Sequence, residues 1–302
     1  MNAIAIGLAR LSTERQNALS ENLDNMSSLE IATLMNREDE KIAAAIRRSL
    51  HSIAEAIDLI TAKLSSGGRL IYVGAGTSGR IGALDASECR PTFNIPPSLV
   101  QYVIAGGSKA LGSAVEANED SPLLGRKDIA ARKPGPKDVV VGIAASGRTP
   151  YAVAALKYAH AKGAGTIAVV CNAGSELARV SDVAIEVVVG PEILTGSTRL
   201  KAGTAQKMVC NMLTTGAMAR LGYVYGNLMV NVQLKNVKLV ERGISIVQSI
   251  TGLDRKKAIA ALKAADMKVP VALVMVKAGV NKDDAIARLK RSRAHVRKAI
   301  RD

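Results

Sequence analysis

The sequence predicts an α/β protein: a parallel sheet covered by helices on both faces, with a small helical domain at the C-terminal end. Three observations carry this. Short β-branched runs bounded by glycine or polar turns alternate with helical stretches between residues 70 and 189. Two of those runs lead into loops rich in glycine and hydroxyls, the form a parallel strand takes where it turns into a helix. After Gly190 no strand-like run recurs.

Taken in order, the segment to about Asn36 reads as polar and irregular, with Ser27-Ser28-Leu29-Glu30 as a helix start. Over residues 38–64, Ile42, Ala45, Ile46, Ile53, Ile57 and Ile60 recur at helical spacing, and Gly67-Gly68 ends that helix. The strand candidates are residues 70–73, 99–104, 139–143, 166–171 and 183–189, with Pro150–Ala161 a helix between the third and fourth. Residues 202–221 and 224–250 read as helices, then 255–265, Val269–Ala278 and 282–300, Gly279 dividing the last two. The expected organisation is an N-terminal segment over 1–37, an α/β domain with flanking helices over 38–253, and a helical domain over 254–302. The linker falls near Thr251-Gly252-Leu253.

Composition narrows the function. Hydrophobic residues are 48% and charged residues 22% of the 302, which excludes wholesale disorder. Aromatics are 2%, with no Trp and the single Phe93, so a platform for stacked bases has no material. The chain carries 41 basic and 26 acidic residues, a net charge of +15. Much of the excess sits in Arg288, Lys290, Arg291, Arg293, Arg297, Lys298 and Arg301, which read as the solvated face of a tail helix rather than a nucleic-acid surface. A basic chain also suits an anionic substrate, because its field raises encounter rates. Cys89, Cys171 and Cys210 have neither disulfide-framework nor zinc spacing. Residues 1–10 hold one short apolar patch, and no stretch approaches the roughly 18 apolar residues of a membrane span. The expectation is a soluble, cytoplasmic protein.

The chemistry lies in the loops. The first strand runs into Gly74-Ala75-Gly76-Thr77-Ser78-Gly79-Arg80, which satisfies the dinucleotide pattern GxGxxG. A dinucleotide fold needs an acid at the end of its second strand, and Ile104-Ala105-Gly106-Gly107 stands there instead. Thr77 and Ser78 at a helix start suit a compact phosphate monoester better. Ala144-Ala145-Ser146-Gly147-Arg148-Thr149-Pro150 repeats the arrangement after the third strand, and two such loops can converge on one sugar phosphate. A third polar run, from Glu192 to Thr204, contains Ser197, Thr198, Arg199 and Lys201 and serves equally as a helix cap or a ligand loop. Glu88 and Glu119 follow these loops, and two carboxylates in one pocket can divide into acid and base.

The run Tyr72-Val73-Gly74-Ala75-Gly76-Thr77-Ser78-Gly79-Arg80, followed by Leu84-Asp85-Ala86-Ser87-Glu88-Cys89, resembles the N-acetylmuramic acid 6-phosphate etherase family. So do Gly142 to Pro150, Gly190 to Arg199 and Tyr225-Gly226-Asn227-Leu228-Met229-Val230, and the resemblance extends from about Leu11 to the C-terminus. Glucokinase regulatory protein, a far longer chain, shares the sugar isomerase (SIS) fold and much of the pattern. The resemblance implies a SIS-type three-layer αβα sandwich, a homodimer, and neither cofactor nor metal. It implies cleavage of the ether between sugar C3 and D-lactate, giving N-acetylglucosamine 6-phosphate. Glu88 matches the acid that protonates the departing lactyl oxygen, a role that asks for partial burial, and Glu119 matches the base that removes the C2 proton. Glu116 is the neighbouring acid most easily confused with Glu119. The substrate-binding candidates are Gly76, Thr77, Ser78, Ser146, Arg148, Thr149, Ser197 and Thr198. Arg90, Ala173, Leu200 and the pair Asn17-Ala18 depart from the family's pattern, and none of them is an acid or hydroxyl with an assigned role. The competing readings are a SIS sugar-phosphate isomerase, which would leave the ether intact, and a non-catalytic sugar-phosphate sensor.

Overall fold

A computed structural model describes residues 11–113 and 118–302, so Glu116 lies outside the described residues. Five apolar runs pair into one parallel sheet: β1 (Leu70–Gly74), β2 (Val100–Ile104), β3 (Val139–Ala144), β4 (Gly165–Val170) and β5 (Val183–Glu186). Their order is β2-β1-β3-β4-β5. β1, β3 and β4 are buried along their whole length, which is why they read as unbroken apolar runs rather than as an alternation. β5 stops at Glu186, short of the expected 189. Its neighbour β4 ends at Val170, and only the Val187 N–H, donated to the Val170 carbonyl at 2.8 Å, continues the pairing.

In α1 (Ser28–Arg47), the Ser27 side chain accepts from the Glu30 N–H while Glu30 reaches back to the Ser27 backbone, closing a capping box. The helix expected over 38–64 is two helices, α1 and α2 (Leu50–Ser65). The break falls at Ser49, whose hydroxyl donates to the Glu186 carbonyl at the sheet edge at 2.7 Å. That tertiary bond has no signature in local periodicity. α3 (Gly76–Phe93), α4 (Pro122–Ala131), α5 (Pro150–Ala161), the single turn α6 (Glu176–Arg179) and α7 (Lys201–Arg220) follow.

Successive strand residues face opposite layers. Ile71, Val73, Val140 and Ala168 join Tyr151, Ala155 and Leu156 of α5 and Leu177 of α6 in one buried cluster. On the other face α3 approaches closely: a Cβ at Gly82 would stand 2.8 Å from Tyr72 Cβ and 3.2 Å from Ile143 Cδ1. This is the expected helix-sheet-helix sandwich.

The chain divides into two compact units, residues up to Ala86 with Ser98–Thr214, and Ser87–Pro97 with Thr215–Asp302. The second contains α8 (Val237–Thr251), α9 (Arg255–Ala264), α10 (Val269–Ala278), α11 (Lys282–Arg291) and α12 (Val296–Arg301) around its own core of Val230, Ile244, Val247, Leu262, Val269, Leu273 and Val296. Two helices differ from expectation. Residues 224–236 form an irregular segment in which Tyr225 and Leu228 pair across Gly226 (φ +60°). The helix expected over 282–300 is broken because Arg293 and Ala294 adopt left-handed backbone at φ +52° and +66°. His295 then caps α12 and packs on Gly222, where a Cβ would stand 2.4 Å from its ring. Two tail cations serve packing. The Arg297 guanidinium lies 4.4 Å from the Tyr225 ring centroid, and Arg291 pairs with Asp302. Among the described residues, no helix is long and apolar enough to cross a membrane.

Candidate active site

β1 has β2 on one side and β3 on the other, so the chain reverses its direction of travel across the sheet between β1 and β3. Ligands of open α/β sheets bind in the crevice at the carboxyl ends of such a strand pair. Gly74 is level with Ile143, so the two hydroxyl-bearing loops leave the sheet side by side.

In the first loop, Gly76 opens α3 with φ +50°, a conformation glycine adopts without a Cβ penalty. Thr77 is half-buried and Ser78 is buried at 8% exposure. The last member of the motif, Arg80, is a structural tie: its guanidinium donates to the carbonyls of Ala110 and Ser113, both at 2.9 Å. In the second loop, Gly147 takes φ +66°, and a Cβ there would stand 2.2 Å from Ser175 Oγ. Ser146 Oγ accepts from the Arg148 N–H at 3.2 Å, while the Arg148 side chain is exposed. Thr149 stands at the N-cap of α5 without spending its hydroxyl on the helix.

Glu119 joins these loops. α4 packs so tightly on α5 that a Cβ at Gly125 would stand 2.1 Å from the Tyr151 carbonyl oxygen, and the Tyr151 hydroxyl donates to Asp128 at 2.7 Å. The segment just before α4 is thereby held at the start of α5, where the Glu119 carbonyl accepts from the Tyr151 N–H at 3.1 Å. The Glu119 side chain reaches the first loop: a Cβ at Gly76 would stand 2.8 Å from its Oε1. A carboxylate at the N-terminus of α3 lies at the positive end of that helix dipole.

The third loop resolves into a cap and a wall. Glu192, fully buried, accepts from the N–H groups of Lys201 and Ala202 at 3.0 and 2.9 Å and so caps α7. Burial pushes its carboxyl up, against the lowering effect of those two bonds. Lys201 is turned inward to a buried ion pair with Glu38 of α1. Ser197 and Thr198 are half-buried. A Cβ at Gly203 would stand 3.5 Å from both the Thr198 carbonyl and Thr77 Cγ2, so the first turn of α7 draws the first and third loops together.

Glu88 lies in the stretch of α3 that belongs to the second unit, and it is exposed, contrary to the partial burial expected of it. The inward stripe of α3 is Ser78, Gly82, Asp85, Cys89 and Phe93, which turns Glu88 outward. Close to it in sequence, a cavity of about 320 Å³ is lined by Ser87, Arg90, Pro91, Ile95, Gln233 and Lys235 with Leu239, so Arg90 faces this cavity.

Other polar groups that shape the site carry no local sequence signal. The Asn172 amide donates to Thr13 Oγ1 and to the Ala145 carbonyl, tying the N-terminal segment to the second loop. Asp85 accepts from Tyr72, Asn211 and Thr214 beneath the first loop. Gln206 meets Ser78 at 2.9 Å. Each is a polar residue inside a helix or at a strand end whose partner is distant in the chain.

A doubly covered parallel sheet with hydroxyl loops at its switch point is the architecture of a SIS-domain protein. Sequence profiles agree, the SIS domain matching residues 133–216 and the glucokinase regulatory protein N-terminal SIS domain matching residues 52–160. The phosphoheptose isomerase of Neisseria gonorrhoeae shares the fold, with a TM-score of 0.51 at 18% identity over 64% of this chain and 100% of that one. Full-length relatives narrow the class. The N-acetylmuramic acid 6-phosphate etherase of Klebsiella aerogenes is 50% identical over 98% of this chain and 99% of its own. The protein of that name from Mycolicibacterium smegmatis is 50% identical over 97% and 98%. The chain belongs to the N-acetylmuramic acid 6-phosphate etherase family, as its motifs had implied.

Proposed function

We propose that this chain cleaves the D-lactyl ether of N-acetylmuramic acid 6-phosphate, giving D-lactate and N-acetylglucosamine 6-phosphate. In this reading it is a carbon–oxygen lyase of amino-sugar catabolism and peptidoglycan recycling that acts as a cytoplasmic homodimer without a cofactor. The observation that carries the reading is 50% identity to an etherase of that name along nearly the whole of both chains.

Opening of the sugar ring sets C2 beside an aldehyde and makes its proton acidic. Glu119 removes that proton. Its carboxylate, close over Gly76 of the first hydroxyl loop, supports this role. Glu88 protonates the lactyl oxygen as the C3–O bond breaks, and water adds at C3 of the unsaturated aldehyde. Each proton transfer contributes about 10²–10⁴-fold. Donation at neutral pH asks for a desolvated carboxyl, and in this reading the substrate or the second subunit covers Glu88. Thr77, Ser78, Ser146 and Thr149 hold phosphate and sugar, with Gly76, Arg148, Ser197 and Thr198 around them.

The test is D-lactate release by the wild type, Glu88→Ala and Glu119→Ala. The expected result is release by the wild type, with each variant slower by about 10²-fold or more while still binding N-acetylglucosamine 6-phosphate. An isomerase or a sensor would bind the sugar phosphate and release no lactate, and that outcome overturns the proposal.

A further inference from the structure

Beneath the first loop, Ser78 and Gln206 form a buried pair. Ser78 Oγ and Gln206 Oε1 are 2.9 Å apart, with the two residues 8% and 1% exposed. The other end of the same amide, Nε2, is buried and has no partner, the one such side-chain atom found among the described residues. A buried donor without an acceptor costs free energy, and buried polar groups are nearly always paired.

The two ends of an amide are interchangeable by a half-turn, and the hydrogen-bond network decides between them. With Oε1 toward Ser78, the hydroxyl spends its hydrogen on Gln206 and offers only lone pairs to the loop. That polarity repels an anion. With Nε2 toward Ser78, the amide donates to the hydroxyl oxygen, the buried end left over is a carbonyl rather than an N–H donor, the less costly of the two, and the hydroxyl hydrogen is released toward the helix start where an anionic oxygen would sit. A bond from that hydroxyl to a charged oxygen is of the stronger kind.

We infer that Gln206 is a positioning residue that sets the polarity of Ser78, presenting its hydroxyl as a donor to the phosphoryl group of the substrate. The inference rests on the proposed phosphate-holding role of the first loop.

Binding of N-acetylglucosamine 6-phosphate and of unphosphorylated N-acetylglucosamine, measured by titration calorimetry, tests both. In Gln206→Glu the ionised side chain only accepts, so in that form it captures the Ser78 hydrogen. Affinity for the phosphorylated sugar should fall by about 10–100-fold, the range of a hydrogen bond to a charged group, with the unphosphorylated sugar unaffected. Gln206→Met removes the amide that fixes the Ser78 hydroxyl without supplying a competing acceptor. It should weaken phosphate binding less than Gln206→Glu, and have no further effect in a Ser78→Ala background. Equal losses on both sugars, or a Gln206→Met effect that adds fully to Ser78→Ala, would overturn the inference. A preference for the phosphorylated sugar that is lost in Ser78→Ala but kept in Gln206→Glu overturns the inference alone. No dependence on Ser78 overturns the phosphate reading of the loop, and the inference with it.

Discussion

Gly76→Ala separates the work of a glycine's backbone from the work of the space above it. Gly76 has φ +50°, and Gly67, in the turn after α2, has φ +81°. Alanine at either position is forced into left-handed backbone at a cost of about 1–2 kcal/mol. The surroundings differ. A Cβ at Gly67 meets nothing within 4 Å, whereas at Gly76 it would stand 2.8 Å from Glu119 Oε1, where ordinary contact begins near 3.4 Å. The carboxylate must retreat by about 0.6 Å or more, the difference between those distances. The end of a glutamate side chain can do this cheaply, so little further stability is lost. A general base is less tolerant, since a displacement of about 1 Å can lose about 10² in rate. Gly76→Ala should therefore lower kcat for D-lactate release by about 10–100-fold, or about 1.4–2.7 kcal/mol of transition-state stabilisation. Gly67→Ala should leave kcat unchanged. Urea unfolding of both variants should show similar losses of about 1–2 kcal/mol. Retention of wild-type kcat in Gly76→Ala would refute the placement of Glu119 as the base.

Three further predictions concern the frame. Lys201 and Glu38 are 2% and 3% exposed as a pair, so Lys201→Met leaves a buried carboxylate with Lys41 alone and should cost no more than about 3–5 kcal/mol in urea unfolding, while Lys201→Met combined with Glu38→Leu should lose much less. Burial pushes the Glu38 carboxyl up, but its bonds from Lys201 and Lys41 prevail and hold it below the ordinary value. The stability it contributes is therefore complete above that ordinary value and should fade in unfolding curves as pH drops through the lower folded value. Asp85 has the opposite sign: burial raises its carboxyl despite the bonds from Tyr72, Asn211 and Thr214. Ionising it draws on stability as pH rises from its ordinary range through the raised value. Asp85→Asn should flatten that slope without lowering the melting temperature at neutral pH. Finally, burial, with a smaller effect of Glu192, pushes the Cys171 thiol up to about 12, and Cys89 and Cys210 are also buried. Iodoacetamide at pH 8 should label the native chain slowly and all 3 thiols in urea.

The strands were legible because burial on both faces leaves no polar position in runs such as Val139–Ala144. The two loops were legible because a parallel strand that delivers glycine and hydroxyls to a helix start has few other uses. Glu119 was legible as a candidate from its place after the second strand, but its role as base only through a resemblance, since nothing local separates it from a solvated glutamate. The helix break at Ser49 was not legible, because its cause is a bond to Glu186, 137 residues away. The third loop admitted two readings for the same reason: both Glu192 and Lys201 stood in it, and only packing shows that one caps α7 while the other turns to Glu38. The outward face of Glu88 follows from the buried stripe of its own helix, which passes through Asp85, Cys89 and Phe93.

By itself, then, the sequence determined the periodic elements, the sheet they build and the edge that carries the loops, because periodicity and turn chemistry act between neighbours in the chain. Tertiary structure alone decided where Glu119 points, which polar groups are consumed internally, and that Gln206 lies against Ser78. Those outcomes depend on close approach between residues as far apart as Ser78 and Gln206, 128 positions, or on a glycine such as Gly125 letting two backbones meet, and chain order does not encode such distances.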